Sequence, residues 1–289
     1  MKKILFLLPG IFASATLLAQ PNSVKPVFTN KILLSAGQKI IVQSSLTAES
    51  SLSPGVDVSN TTNSENTIEV RNISEKNYTL SSSLTKMQVN INMPGNSTSY
   101  DSEKKEDRET DLGKTFSEKL NKPVEVILDV NTGKATTTQI KPANNKKETD
   151  EGNPMQGMLQ VMGDAGGTEA LVEGSFELIP QGKNVGDSWS DSSSVKNSKM
   201  MKTYTLKSVT GNEAVIGYSM SVDAVNSMEM QGMQMEISSI TKSTGEIIVD
   251  ILTGLVRKKT TQSDVQGNMQ MMGQSIPVNA KATTTITYQ

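Results

Sequence analysis

The chain has no cysteine and no histidine. The first absence removes disulfides and thiolate nucleophiles, so stability has to come from packing alone. The second removes the usual general base, the Ser–His and Cys–His nucleophile pairs, and the common zinc and haem ligand sets. Aromatic residues make up only 4% of the 289 residues, so Val, Ile, Leu and the 16 methionines must fill the core. Neither charge sign dominates: 28 basic residues face 30 acidic ones, which gives a net charge of −2 and no electrostatic footprint for nucleic acid. No stretch approaches the roughly 20 consecutive apolar residues of a membrane-spanning helix.

What is present begins with an address. Met1-Lys2-Lys3 is followed by an apolar run from Ile4 to Leu8, by Pro9-Gly10, and by a second apolar stretch ending Leu17-Leu18-Ala19-Gln20. A short cationic segment, an apolar core and a small residue at the cut are the layout of a secretory signal, here residues 1–19 with cleavage after Ala19. The expected destination is the periplasm or the exterior. With no cysteine there is no lipoprotein attachment point.

The remainder reads as mainly β, in two similar antiparallel β-rich halves with a short helix between them. Ile68-Glu69-Val70-Arg71-Asn72-Ile73 leads through a polar turn to Tyr78-Thr79-Leu80 and Leu84. At a shift of 136 positions, Tyr204-Thr205-Leu206-Lys207-Ser208-Val209 leads to Ala214-Val215-Ile216 and Met220. Each reads as strand, turn, strand. Val126–Gly133 likewise parallels Ile247–Gly254, both ending Thr-Gly, as a turn that enters positive φ requires. A looser pair sets Phe28 to Gly37 beside Phe176 to Gly186, each an apolar strand running into a glycine turn. These anchors predict an internal duplication. The first half (20–142) carries a charged, solvated loop at 101–112, residues 143–168 form a linker holding a helix over 154–163, and the second half covers 169–289.

Given these anchors, the chain resembles a family of uncharacterised exported Bacteroidota proteins, a domain of unknown function. The resemblance rests on the signal ending Leu-Ala-Gln, on Val185-Gly186-Asp187-Ser188-Trp189, on Ile248–Val256 and on Met271–Pro277. It implies no activity and no site residues.

Four patterns invite chemistry. The methionines at 228, 230, 233 and 235, and at 269, 271 and 272, are dense enough for a soft Cu(I) site, since thioethers are soft ligands. Equally, methionine at strand period fills a core poor in aromatics, as Met87, Val89, Ile91 and Met93 do on one face of a strand. Ser193-Ser194-Val195-Lys196 fits Ser-x-x-Lys but lacks the companion elements of a Ser–Lys nucleophile site. Asp129 and Asp250 occupy matching places and read as turn ties rather than as a glycosidase carboxylate pair. Trp189 reads as a core anchor before a ligand stacker. The expected function is non-catalytic: an exported binding or carrier protein for a hydrophobic or lipid-like ligand, with periplasmic Cu(I) binding through the Met clusters as the alternative. No catalytic, cofactor or metal residues are assigned, and neither nucleic acid nor a membrane span is expected.

Overall fold

The computed structural model describes residues 27–53, 56–138, 167–195, 197–230, 233–271 and 274–289. The expected signal peptide, the expected helix over 154–163 and Lys196 lie outside these. The described residues form one antiparallel sheet. Its strands are β1 (Lys39–Ser53), β2 (Val56–Ile73), β3 (Asn77–Met93), β4 (Asn96–Asp101), β5 (Val124–Asp129), β6 (Ala135–Thr137), β7 (Ser188–Val195), β8 (Ser198–Thr210), β9 (Glu213–Met230), β10 (Met233–Asp250), β11 (Val256–Met271) and β12 (Gln274–Tyr288). Their order is β6-β5-β3-β2-β1-β12-β11-β10-β9-β8-β7, with β4 beside β3. The two halves therefore share a sheet rather than building one each. They join where β1 pairs with β12, from Val42 opposite Tyr288 to Ser51 opposite Asn279.

The matched segments adopt matched geometry. The β2–β3 hairpin slips register between Val70 and Asn72, and the β8–β9 hairpin slips between Leu206 and Ser208, the positions 136 residues on. Each bulge bends its strand and adds local twist. The Asp129 side chain accepts the amides of Asn131 and Thr132, and that of Asp250 accepts the amides of Leu252 and Thr253. Gly133 and Gly254 follow at φ 69 and 75, where a Cβ would be strained. Both aspartates are turn ties.

The amides of Thr132 and Asn131 hold the Asp129 carboxyl below its ordinary range. Its contribution is therefore present in full above the unfolded carboxylate pKa of about 4 and is lost as pH falls toward the lower folded value. Asp129→Ala is expected to cost about 1–2 kcal/mol at pH 7, read as a lower urea midpoint, and progressively less as the pH falls below about 4.

The third matched pair departs from expectation. Residues 28–38 and 176–187 do not join the sheet as strands; they cross the ends of the strands and plug one end of the sheet. The Thr29 amide donates to the Ile251 carbonyl, the Ile32 amide to Val130, and the Leu33 amide to Thr253. Val130 follows β5, while Ile251 and Thr253 follow β10, and these strands stand six spacings apart, about 29 Å in a flat sheet. Consecutive Cα atoms are about 3.8 Å apart. Ile32 and Leu33 can reach both turns only because the sheet curls at this end.

The curl encloses the main core. Ile40 and Val42 of β1, Ile68 and Val70 of β2, Leu80 of β3 and Leu206 of β8 meet Phe28, Ile32 and Phe176 of the plug, together with Val172 from the segment just before it. Helix α2 (Gly167–Glu173) guards the β6 edge, where Glu173 accepts the Ala135 amide and Glu169 the Thr137 amide, groups that would otherwise invite another strand. The charged segment after β4 is exposed through a 3₁₀ turn at Glu106–Glu109 but then folds as α1 (Asp111–Ser117), with Thr110 accepting the Gly113 amide as its cap. Phe116 of α1 packs on Tyr100, centroids 5.2 Å apart, and closes a second cluster with Val58, Val89 and Ile91. Met87 and Met93 pack on this cluster, so these two methionines are core filler as the period-2 reading expects.

A candidate ligand trough on the inner face

Beyond the plugged end the strands continue for many residues, up to 18 in β9 and β10, and away from the α1 cluster, on β1 and β8 to β12, no second layer lies over the face that carries the core among the described residues. A flat, uncovered sheet would expose both faces alike. Here exposure keeps alternating along β1, β12, β11, β10, β9 and β8: the inner positions stay half-shielded while the outer ones are exposed. Along β12, for example, Val278, Ala280, Ala282 and Thr284 are half-shielded and Asn279, Lys281 and Thr283 are exposed. The shielding comes from the curl of the sheet itself, which makes the inner face a trough open along its length.

Register defines the trough in rows. Nearest the core runs Leu206–Ile216–Ile247–Lys259–Ile286–Ser44. The next row runs Trp189–Tyr204–Tyr218–Gly245–Thr261–Thr284. Above it come Asp191, Lys202, Met220, Ser243, Ser263 and Ala282. Higher rows on β9 to β12 hold Val222, Thr241, Val265 and Ala280, small or apolar and without charge. Apart from Lys259 and the turn residue Asp250, the charges of these strands, such as Asp223, Lys242, Asp264 and Lys281, fall at the exposed outer positions among the described side chains.

Aromatic residues, scarce in the chain, concentrate at the base of the trough. Trp189 stacks on Tyr204 with centroids 5.4 Å apart and planes 12° apart, and Lys183 lies 5.9 Å from the Trp189 ring. The half-buried Trp189 is thus both a core neighbour and part of the trough wall. The Tyr218 hydroxyl bonds that of Thr261 across Gly245. A Cβ on Gly245 would meet the Thr260 carbonyl oxygen at 1.9 Å and the Tyr218 ring at 2.8 Å, so the ring crosses β10 only because this residue is glycine. Gly245→Ala is expected to lower the thermal midpoint through about 1–3 kcal/mol of overpacking, whereas an alanine at Gly267 would meet Ser239 at 3.0 Å and the Ser238 carbonyl at 2.5 Å and displace no ring.

The base also gathers ionisable groups that the sequence did not single out. Glu177, on the plug, is held by its amide to the Gly254 carbonyl. Burial pushes its carboxyl up to about 7, against the pull of Lys259 and Lys202 and with the repulsion of Asp191. Burial likewise lowers the Lys259 ammonium, Lys202 adds to that, and Glu177 opposes it. The Lys259 Nζ lies 5.4 Å from the Tyr218 ring centroid. One sequence signal was available for each residue. Glu177 is the lone charge inside Phe176–Ile179, and Lys259 shares strand parity with Thr261, Ser263 and Val265.

The remaining candidates fare differently. Ser193 is exposed on the edge strand β7. Ladder register sets Met228, Met235 and Met271 opposite one another across β9, β10 and β11, and Met230 opposite Met233. The side chains at 226–235 and 271–273 lie outside those described. On the outer face, a depression of about 370 Å³ is lined by Gln43, Glu65, Lys86, Asp101 and Glu103 among others. Its polar groups largely satisfy one another: Gln43 donates to Glu65, Gln88 to Asp101, and Lys86 pairs with Glu65 and Glu103.

A model of a family of unknown function, DUF6263, matches residues 75–256. No curated protein matches the chain. Among solved structures, one titled for lipid–protein interactions in lipovitellin aligns at 12% identity and TM-score 0.50, over 89% of this chain and 25% of that one. The chain thus spans about a quarter of that protein's length. An outer membrane channel from Pseudomonas putida F1 aligns at 6% identity and TM-score 0.25, over 89% of this chain and 97% of that one. OccK5 from Pseudomonas aeruginosa aligns at 6% and 0.26, over 89% and 99%. Scores this low carry no argument, and the likeness to lipovitellin, at 12% identity, is one of architecture alone.

Proposed function

Because the chain belongs to the DUF6263 family, whose function is unknown, no activity is inherited, and we propose that it is an exported, non-catalytic binding or carrier protein that takes a hydrophobic or lipid-like ligand in its trough. The observation that carries this reading is the persistent half-shielding of the inner face of β1 and β8 to β12, uncharged above the few charges near its base and without a covering layer among the described residues. Concave, mainly apolar surfaces with a few convergent polar groups are where small molecules bind. The lipid–protein subject of the lipovitellin structure, at the level of fold, agrees with it. The matched bulges and aspartate turns support an internal duplication as the origin of so wide a sheet. Export rests on residues 1–19, and the non-catalytic reading on a chain without histidine or cysteine.

Titration of the mature chain with the uncharged fluorescent probe N-phenyl-1-naphthylamine tests the trough. A saturable rise in fluorescence, competed by long-chain alcohols, is expected. No rise from a folded protein would remove the proposal.

A second reading, soft-metal binding, draws on the register that lines up Met228, Met235 and Met271. It requires a Cu(I)-dependent rise in the thermal midpoint that Met→Leu changes at 228 and 235 abolish.

A further inference from the structure

Lys259 and Lys202 form no salt bridge among the described residues, although Lys207 and Arg257 each hold a carboxylate at 2.7 and 2.8 Å. Both free cations point from the inner positions of their strands and are half-buried. Two ammonium groups left uncompensated at the base of a trough are expensive unless something arrives to pair with them. The elements packed around them offer Glu177 from the plug, Asp191 from β7, and the phenols of Tyr204 and Tyr218. Asp191 is exposed. Glu177 lines a small depression with Phe28, Ile179 and Ile251 and makes no salt bridge to either lysine among the described residues.

We propose, resting on the trough reading, that Lys259 and Lys202 receive the anionic group of an amphiphile, a carboxylate or phosphate ester, whose apolar chain runs up the uncharged inner positions of β11 and β12. From Lys259 to Met269 the inner positions of β11 are Thr261, Ser263, Val265 and Gly267, a path of about 33 Å without a charge. Their neighbours on β12, from Thr284 to Ile276, are uncharged as well. Lys259 is steadied for this role by the Tyr218 ring, which the Thr261 hydroxyl and the gap at Gly245 hold in place. Glu177 acts as the competing anion. It is charged above pH 7 and neutral below, so it opposes the incoming head group at high pH and yields at low pH.

The test compares the fluorescent long-chain acid cis-parinaric acid with its alcohol, on the full mature chain at pH 6 and pH 8. The acid should bind about tenfold more tightly than the alcohol at pH 6 and lose part of that advantage at pH 8. Lys259→Gln and, separately, Lys202→Gln should erase the preference while alcohol binding persists, which also shows that the variants fold. Glu177→Gln should carry the pH 6 preference to pH 8. Equal binding of acid and alcohol by the wild type overturns the head-group assignment and leaves the trough standing. Binding of neither overturns the trough itself. Displacement of the acid by inorganic phosphate at equal concentration also overturns the proposal, because the base would then hold free anions with no need of a chain.

Discussion

Ile32→Ala is expected to lower the unfolding free energy by about 2–5 kcal/mol, read from urea denaturation by circular dichroism. Ile32 is fully buried, its amide holds the Val130 carbonyl, and its own carbonyl accepts the Tyr78 hydroxyl. Its side chain also lies between the two aspartate turns, in van der Waals reach of the Cβ positions at both Gly133 and Gly254. Alanine leaves a cavity between the turns that follow β5 and β10, and the plug cannot follow because its backbone is bonded to both turns. A loss below about 1 kcal/mol would mean that the plug does not hold the curl. Leu33, its exposed neighbour, is the control: Leu33→Ala should change stability by less than about 0.5 kcal/mol.

Glu177→Gln is expected to work in the opposite direction and to depend on pH. The carboxyl has an unfolded value near 4.5 and a folded one of about 7, so between these the native state binds more protons and wild-type stability falls as pH rises. Below pH 4.5 the penalty is absent; above pH 7 it is complete. Glutamine removes it, and the variant should be more stable than the wild type by about 2 kcal/mol at pH 8 and indistinguishable from it at pH 4. Equal stability at pH 8 would show that Lys259 and Lys202 fully offset the desolvation. A stabilising substitution in the candidate site is what a binding function implies, since groups kept for a ligand are not optimised for the empty fold.

The strands and hairpins of this fold were legible because period-2 alternation and Thr-Gly turns are local signals. The shift of 136 residues found two hairpins whose bulges fall at equivalent residues, and the separate match of Val126–Gly133 with Ile247–Gly254 placed both aspartates in equivalent turns. Closure was not legible. The pairing of β1 with β12 joins residues some 240 positions apart, and nothing in either strand names its partner. Phe28–Gly37 and Phe176–Gly186 have the composition of strands but spend their backbone hydrogen bonds across strand ends, which only the curled sheet makes available. For the same reason the base of the trough stayed hidden. Lys259 sits in Arg257-Lys258-Lys259, which looks solvated until register turns Lys259 alone inward, and Glu177 meets it only through the plug.

The central claim is that the inner face binds the ligand and the outer face does not. Ala282 and Thr283 are neighbours on β12, the first half-shielded within the trough and the second exposed outside it. Both lie away from the buried core, so a tryptophan at either should leave the fold intact. The decisive measurement is the affinity for N-phenyl-1-naphthylamine of Ala282→Trp and Thr283→Trp beside the wild type. Binding weakened at least tenfold by Ala282→Trp and unchanged by Thr283→Trp is the predicted result. The same affinity in both variants, or a loss confined to Thr283→Trp, would contradict it.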